Sequence, residues 1–294
     1  MIKPQPFAKN KKIGIVALAG PLDSHVLLAG EAYLNALGYE VLIAPSCFES
    51  NRYLAGNSDE ERALDLMMLF ADDEIGAILN MRGGYGSNRI LPHIRNFDFS
   101  KYPKPFIGYS DITYMHIYLN QNYNLITYHG PMIKDLLEDD QLTTKKWIKT
   151  ALKGIPLTLK GVSFMNVETK RVAGITIGGN LTIVCSTLGT PNEINTVGKI
   201  LFLEEINEEP YSVDRLLMQL IHAGKIHDCI GIILGDFGGV DQDEVMKTIK
   251  ELLLPTGKLI AYGLPAGHAI PNLTIPLGAS CILDDIRGRI AFQA

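Results

Sequence analysis

Three segments of this chain carry side chains that could together perform nucleophilic chemistry. Ser110 stands in Phe106-Ile-Gly108-Tyr-Ser110-Asp111-Ile-Thr113, where an apolar pair runs into a glycine and the residues from Ile112 to Leu119 can form an amphipathic helix. A strand, a sharp turn and a helix in that order project a serine hydroxyl away from a sheet and leave amides free at the helix start, where an oxyanion can be held. A serine so placed still needs a base, and the base needs a third group to fix its tautomer. Two distant segments offer them. Lys199-Ile-Leu-Phe-Leu-Glu204-Glu205 is an apolar run ending in carboxylates, and Gly263-Leu-Pro-Ala-Gly267-His268-Ala-Ile-Pro-Asn272 is a Gly/Pro-rich loop with one histidine. The order Ser, Glu, His is that of α/β-hydrolases, but Ile112 stands where their Gly-x-Ser-x-Gly pattern has glycine, which argues for another fold.

Each of these residues also has a purely structural reading. Ser110 could cap the helix after it, and His268 could be an ordinary loop histidine in a chain that has seven. His129, in Tyr128-His-Gly-Pro131, sits at a strand end and is a second candidate base, or a support near the site. Glu204 and Glu205 are adjacent on a strand and face opposite sides, so only one can enter a cleft. Glu208 and Glu209 read as a solvated strand end, and Asp214 as the surface of the next helix. The turn Arg82-Gly83-Gly84-Tyr85-Gly86 could cradle an anion with its amides, yet it fits neither G-x-G-x-x-G nor the P-loop, which argues against a nucleotide.

The elements that must position these groups alternate in the first half. Strands are expected over Ile13 to Leu18, Glu40 to Ala44, Ala77 to Asn80, Pro105 to Ile107 and Leu125 to Tyr128. Helices are expected over His25 to Ala36, Asp59 to Ala71, Asp111 to Asn120 and Lys145 to Leu152, with Ser58 or Asp59 starting the second. In open parallel sheets the ligand crevice lies beyond the C-terminal strand ends, where Arg82 to Gly86 and Ser110 fall. Residues 154–170 read as a connector. Beyond it come strands at Val172 to Ile177, Ile200 to Leu203, Ile230 to Leu234, Leu259 to Ala261 and Ile282 to Ile290, with helices near Tyr211 to His222 and Asp243 to Leu253. The expected organisation is an N-terminal α/β domain (1–153), a linker (154–170) and a smaller C-terminal α/β domain (171–294).

Composition narrows the function classes. With 47% hydrophobic and 20% charged residues the chain suits a soluble globular protein rather than a disordered one. A net charge of −5 and no basic run interleaved with aromatics argue against nucleic acid as a partner. No apolar run approaches the roughly 20 residues that span a bilayer, so no membrane partner is expected. Lys11-Lys12 and the short run after it break at Gly20-Pro21 and read as a first strand, not a signal peptide. Cys47, Cys185, Cys229 and Cys281 are widely spaced in mostly apolar surroundings, as reduced core residues of a cytoplasmic protein are. No His-Glu-x-x-His or paired-cysteine pattern calls for a metal, and no cofactor is expected.

Six motifs in order, Arg52-Tyr-Leu-Ala-Gly-Asn-Ser-Asp-Glu-Glu-Arg62, Arg82-Gly-Gly-Tyr-Gly86, Gly108-Tyr-Ser-Asp111, Gly178-Gly-Asn-Leu181, Leu203-Glu204 and Gly267-His268, resemble the L,D-carboxypeptidase family. These are the muramoyl-tetrapeptide carboxypeptidases, serine peptidases that also include the microcin C immunity peptidases. The resemblance spans nearly the whole chain. It implies an N-terminal flavodoxin-like or amidotransferase-like parallel-sheet domain, and a C-terminal swivelling β-barrel-like domain, with the site in the cleft between them. It further implies Ser110 as nucleophile, His268 as base, Glu204 as its orienting acid, and the Gly84 and Asp111 amides as the oxyanion hole, with Gly83 the lesser donor. Gly178-Gly-Asn180 is read as structural. The implied reaction releases the C-terminal D-Ala from a murein tetrapeptide during cytoplasmic peptidoglycan recycling, by a homodimer acting on a small peptide. An immunity-type peptidase cleaving an aminoacyl-nucleotide toxin and a non-catalytic module binding an anionic ligand are the alternatives.

Overall fold

A computed structural model describes residues 1–137, 149–154, 156–165 and 170–293. Two sheets organise them. The first has six strands in the order Ile275–Leu277, Thr127–His129, Phe106–Gly108, Ile75–Asn80, Lys12–Val16 and Glu40–Ile43. All its pairs are parallel except the outermost, where Ile275–Leu277 runs antiparallel to Thr127–His129. The second sheet has eight strands: Leu157–Lys160, Arg289–Gln293, Ser280–Asp284, Arg171–Asn180, Ile200–Ile206, Gly231–Gly238, Leu259–Tyr262 and Ser163–Phe164. Its four central strands, from Arg171–Asn180 to Leu259–Tyr262, are parallel to one another and the rest pair antiparallel. The α/β architecture, with a parallel N-terminal sheet and a second α/β unit after it, is the one expected; the mixed pairing within the second sheet comes from the structure.

Local chemistry explains the main helices. Ser58 caps Asp59–Ala71 by accepting from the Glu61 amide at 3.1 Å, and three acidic residues occupy the first turn, where the helix dipole favours them. That helix turns Leu66, Leu69 and Phe70 into the core and, against expectation for a charged residue, Arg62 as well. Arg62 is spent on structure: Nη1 donates to the Leu18 carbonyl at 2.8 Å, and Nη2 pairs with Asp59. In the second half Pro210–His222 and Gln242–Leu253 present apolar stripes to the sheet at Val213, Leu217 and Leu220, and at Val245, Ile249 and Leu253.

Several expectations are corrected. The helix after Ser110, Thr113–Tyr123, is buried on every side through Asn120 rather than amphipathic. Met115 and Leu119 enter the core of the first sheet, while Ile117 enters that of the second. The segment Ile282 to Ile290 is a hairpin, Ser280–Asp284 and Arg289–Gln293, turned at a left-handed Gly288. Residues 157–160 and 163–164, within the stretch read as a connector, are edge strands of the second sheet. Leu181–Ser186 is a short helix that sequence periodicity did not signal. Of the helix expected over 145–152, residues 145–148 lie outside the described residues, and 149–152 are helical. All four cysteines are buried and unpaired with one another.

Candidate active site

Ser110 follows the strand Phe106–Gly108 and has a left-handed backbone, φ 63°. A non-glycine residue in that region is strained, and the surrounding structure must hold it there. Three contacts do so. His116 Nε2–H donates to the Gly108 carbonyl at 2.8 Å, while its Nδ1 lies 2.9 Å from Thr127 Oγ1. Burial, with the neighbouring His129, holds His116 far below the usual histidine range, at about 3, so this ring is a fixed neutral strut. Ser87 binds the other side of the elbow twice: its amide donates to Asp111 Oδ2 at 2.8 Å, and its hydroxyl to the Asp111 carbonyl at 2.7 Å. Asp111 is thereby the clamp between the elbow and the glycine-rich turn. Burial raises its carboxyl, and the Ser87 hydrogen bonds oppose the rise.

The glycine-rich turn leans directly on the serine. A Cβ added to Gly83 would lie 3.0 Å from Ser110 Oγ and 3.5 Å from the Asp111 nitrogen. The turn is tied to the end of the first strand by the Gly20 amide, which donates to the Gly83 carbonyl at 3.0 Å. Among the described residues the amides of Gly84 and Asp111 have no protein acceptor. The open pocket beside this turn is lined by Gly20, Pro21, Tyr53, Arg82, Gly84 and Tyr85. Arg82 Nη1 is engaged with the Pro21 carbonyl at 3.0 Å, and Arg89 with Asp59.

From the second sheet, Glu204 and His268 meet. The last residues of Ile200–Ile206 point Glu204 into the interior, fully buried, and His268 Nδ1 lies 2.8 Å from its Oε2. Burial alone would raise this carboxyl, but the two imidazoles beside it, His129 and His268, outweigh it and hold the group at about 2. An ionised carboxylate only accepts, so the His268 proton sits on Nδ1 and Nε2 is left as a base. Two glycines make the approach possible: a Cβ on Gly267 (φ 111°) would fall within 2.7 Å of Glu204 Cδ, and one on Gly235 within 3.0 Å of Glu204 Cβ. The Gly267 amide is held by Asn272 Oδ1 at 3.0 Å. The His268 ring packs edge-on against Tyr109, the residue before Ser110, with centroids 4.8 Å apart. Tyr109 is itself anchored by Asp135 at 3.0 Å.

Glu205 goes elsewhere. It accepts from Asn180 Nδ2 at 2.9 Å and from the amide and hydroxyl of Thr182, at the start of Leu181–Ser186. Asp214 is exposed on its helix. Gly178 and Gly179, at φ 130° and 142°, allow two close approaches: a Cβ on Gly178 would overlap the Phe202 backbone on the neighbouring strand, and one on Gly179 would fall 2.6 Å from Thr113 Cγ2 in the other half. The Asn180 amide then donates to Thr113 Oγ1 at 3.0 Å, joining the second sheet to the helix that follows Ser110. Sequence reasoning missed Arg62 and the Asp111 side chain as organisers. Asp111 stood next to the apolar Ile112 at the start of a helix, whereas Arg62, following three acidic residues, carried no such signal.

Comparison with known proteins gives the family and the shared fold. Residues 13–130 match the LD-carboxypeptidase N-terminal domain of peptidase family S66, and residues 173–283 match its C-terminal domain. The chain belongs to the LD-carboxypeptidase family. It is 37% identical to a probable murein peptide carboxypeptidase of Bacillus subtilis (strain 168), over 99% of this chain and 94% of that one. Its fold matches a muramoyltetrapeptide carboxypeptidase from Oxalobacter formigenes, with TM-score 0.83 and 28% identity over 96% of this chain and 98% of that one. It also matches the microcin C7 self-immunity protein MccF solved with aspartyl sulfamoyl adenosine, with TM-score 0.90 and 21% identity over 100% and 99% of the two chains. As a member of the LD-carboxypeptidase family the chain is a peptidase of the carboxypeptidase type. Among the described residues no helix is long and apolar enough to cross a membrane.

Proposed function

We propose that this LD-carboxypeptidase is a serine peptidase that hydrolyses the bond between an L-centre and a C-terminal D-residue, releasing D-Ala from murein tetrapeptide. The observation that carries the reading is the strained Ser110 at φ 63°, set against Gly83 on one side and, through Tyr109, against the His268–Glu204 pair on the other. Ser110 Oγ attacks the scissile carbonyl while His268 Nε2 takes its proton. The carbonyl oxygen becomes an oxyanion, held by the free amides of Gly84 and Asp111. As the tetrahedral adduct collapses the C–N bond breaks, and the imidazolium returns its proton to the departing amine. Water then repeats the sequence on the acyl-enzyme, releasing the shortened peptide and restoring Ser110. Glu204 stays ionised and holds the ring in its working tautomer.

The murein assignment rests on relatives named for that substrate, the Bacillus subtilis and Oxalobacter formigenes carboxypeptidases. The fold is shared with MccF, and a fold does not choose a substrate. The test is mass spectrometry of the protein with free murein tetrapeptide and, in parallel, an aminoacyl sulfamoyl adenosine, beside Ser110→Ala and with EDTA. D-Ala release by the native chain alone, insensitive to EDTA, is expected. Cleavage of the nucleotide alone would transfer the assignment to an immunity-type peptidase. Failure of a serine-directed inhibitor to modify Ser110, with no cleavage of either compound, would leave a binding module.

A further inference from the structure

Glu204 has a second oxygen, and the triad does not use it. Oε1 is buried without a hydrogen-bond partner among the described residues, as are both ring nitrogens of His129. The two deficits adjoin: His129 Nε2 lies 3.5 Å from Glu204 Oε1, and both residues are fully buried. A buried polar group left unpaired is costly, and more so when charged. A few tenths of an ångström of closure would satisfy an acceptor and a donor together.

We propose that His129 is a positioning residue for Glu204, donating its Nε2–H to Oε1 so that the carboxylate is held between two imidazoles, His129 on one oxygen and His268 on the other. This rests on the reading of Glu204 and His268 as members of a triad. The ring's direction is set by its surroundings. Phe202 packs against it edge-on with centroids 5.0 Å apart, and Tyr109 does so at 5.9 Å. Its backbone lies between Gly108 and Ile275, in register with both. The titratable groups around it are Glu204, Tyr109 and His116, the last with its centroid 6.1 Å away and its own nitrogens committed to Gly108 and Thr127. Because Nδ1 faces no acceptor among the described residues, a proton placed there would be buried unpaired, whereas one on Nε2 faces a carboxylate.

The mechanical consequence is that Glu204 cannot rotate about its last bond without losing one imidazole or the other. The electrostatic consequence concerns His268, which faces the titratable groups Glu204, Tyr109 and Asp236. A donor on Oε1 draws charge away from Oε2, so its removal makes Glu204 a stronger acceptor toward His268 and raises the affinity of His268 for a proton. His129→Leu, close in volume and without a donor, is therefore expected to lower kcat on murein tetrapeptide by about 10- to 100-fold. KM should stay within about twofold, and the acidic limb of kcat/KM should move to higher pH. His129→Gln, whose amide can reach where Nε2 stood, should restore both the rate and the limb in large part. A spacer role would instead lower activity without moving the limb, or leave Gln as impaired as Leu, and either result overturns the proposal. Should His129→Leu fail to fold, 15N-histidine NMR of the native protein decides, with His129 assigned from the His129→Gln spectrum. A proton on Nε2 is expected, and one on Nδ1 refutes the assignment. If Ser110→Ala or Glu204→Gln keeps full activity, the triad reading falls, and the NMR result is unaffected.

Discussion

Glu204→Gln keeps the shape of the side chain and exchanges one acceptor for a donor, in a place where two imidazoles face two oxygens. His268 Nδ1 is 2.8 Å from one oxygen and His129 Nε2 is 3.5 Å from the other. An amide can offer its carbonyl to only one of them. If the NH2 faces His268, Nδ1 must accept, the ring proton moves to Nε2, and the base is lost. The matching change in a Ser-His-Asp site costs about 10⁴ in kcat, which is about 5 kcal/mol of barrier. If instead the carbonyl faces His268, the NH2 meets the His129 N–H, and two buried donors oppose each other at a cost of about 1–3 kcal/mol in stability. The expected result is the first arrangement: a loss of 10³- to 10⁴-fold, on the order set by that precedent, with near-native stability. Steady-state release of D-Ala and urea denaturation of the same preparation measure both quantities. A variant within tenfold of native activity and also as stable as the native chain would refute the account of the carboxylate, because no orientation of the amide permits it.

Three further outcomes are expected. Gly83→Ala would place a methyl group 2.8 Å from Ser110 Cβ, which is not the free end of a flexible side chain, so the elbow must shift: acylation by a serine-directed inhibitor should slow at least tenfold, on the order of losing part of an oxyanion site, and the melting temperature should fall with it. Gly179→Ala would strain a φ of 142° and press on the Thr113 side chain; a loss of about 2–4 kcal/mol by urea denaturation is expected, and a loss below 1 would show that the halves separate without cost. For pH, the Glu204 carboxyl is lowered in the fold to about 2 from 4.5. Its stabilisation is thus complete above pH 4.5 and is lost as pH falls toward 2, so between pH 5 and 3 native protein should lose roughly 2 kcal/mol more than Glu204→Gln. Parallel denaturation curves at the two pH values check this.

Much of the first sheet was legible because most of its strands are short, largely apolar runs closed by turn residues such as Gly20-Pro21, Pro45 and Gly83-Gly84, and its helices carry caps such as Ser58. The turn at Ser110 was legible because Phe106-Ile107 runs into Gly108. What escaped the sequence had conflicting local signals. Pro276 reads as a strand breaker, yet Ile275–Leu277 is an edge strand, where a missing N–H costs nothing if it faces away from the ladder. The helix Thr113–Tyr123 carries Tyr, His and Asn that suggest a wet face, but their polar atoms are taken up inside, as His116 by Gly108 and Asn120 by Leu125. Glu204 and Glu205 could not be told apart by pattern, since Leu201 and Leu203 enter one core while Ile200 and Phe202 enter another, and both faces of the strand are apolar. Alternation then sends Glu204 with Phe202, and Glu205 toward Thr182.

The segment bearing His268 begins after Leu259–Tyr262 in the second sheet, crosses to form Ile275–Leu277 on the edge of the first, and returns as Ser280–Asp284. The chain is thus stitched from one sheet to the other and back. Neither half is a module that can be lent to another protein. A hybrid joined near residue 170 would borrow the last strand of its N-terminal sheet from the foreign C-terminal half, and two separately expressed halves would have to exchange that strand to reassemble. Drift in one half is policed by the other at the Ile275 to His129 pairing, so recombination within the family should succeed best where that seam is inherited whole.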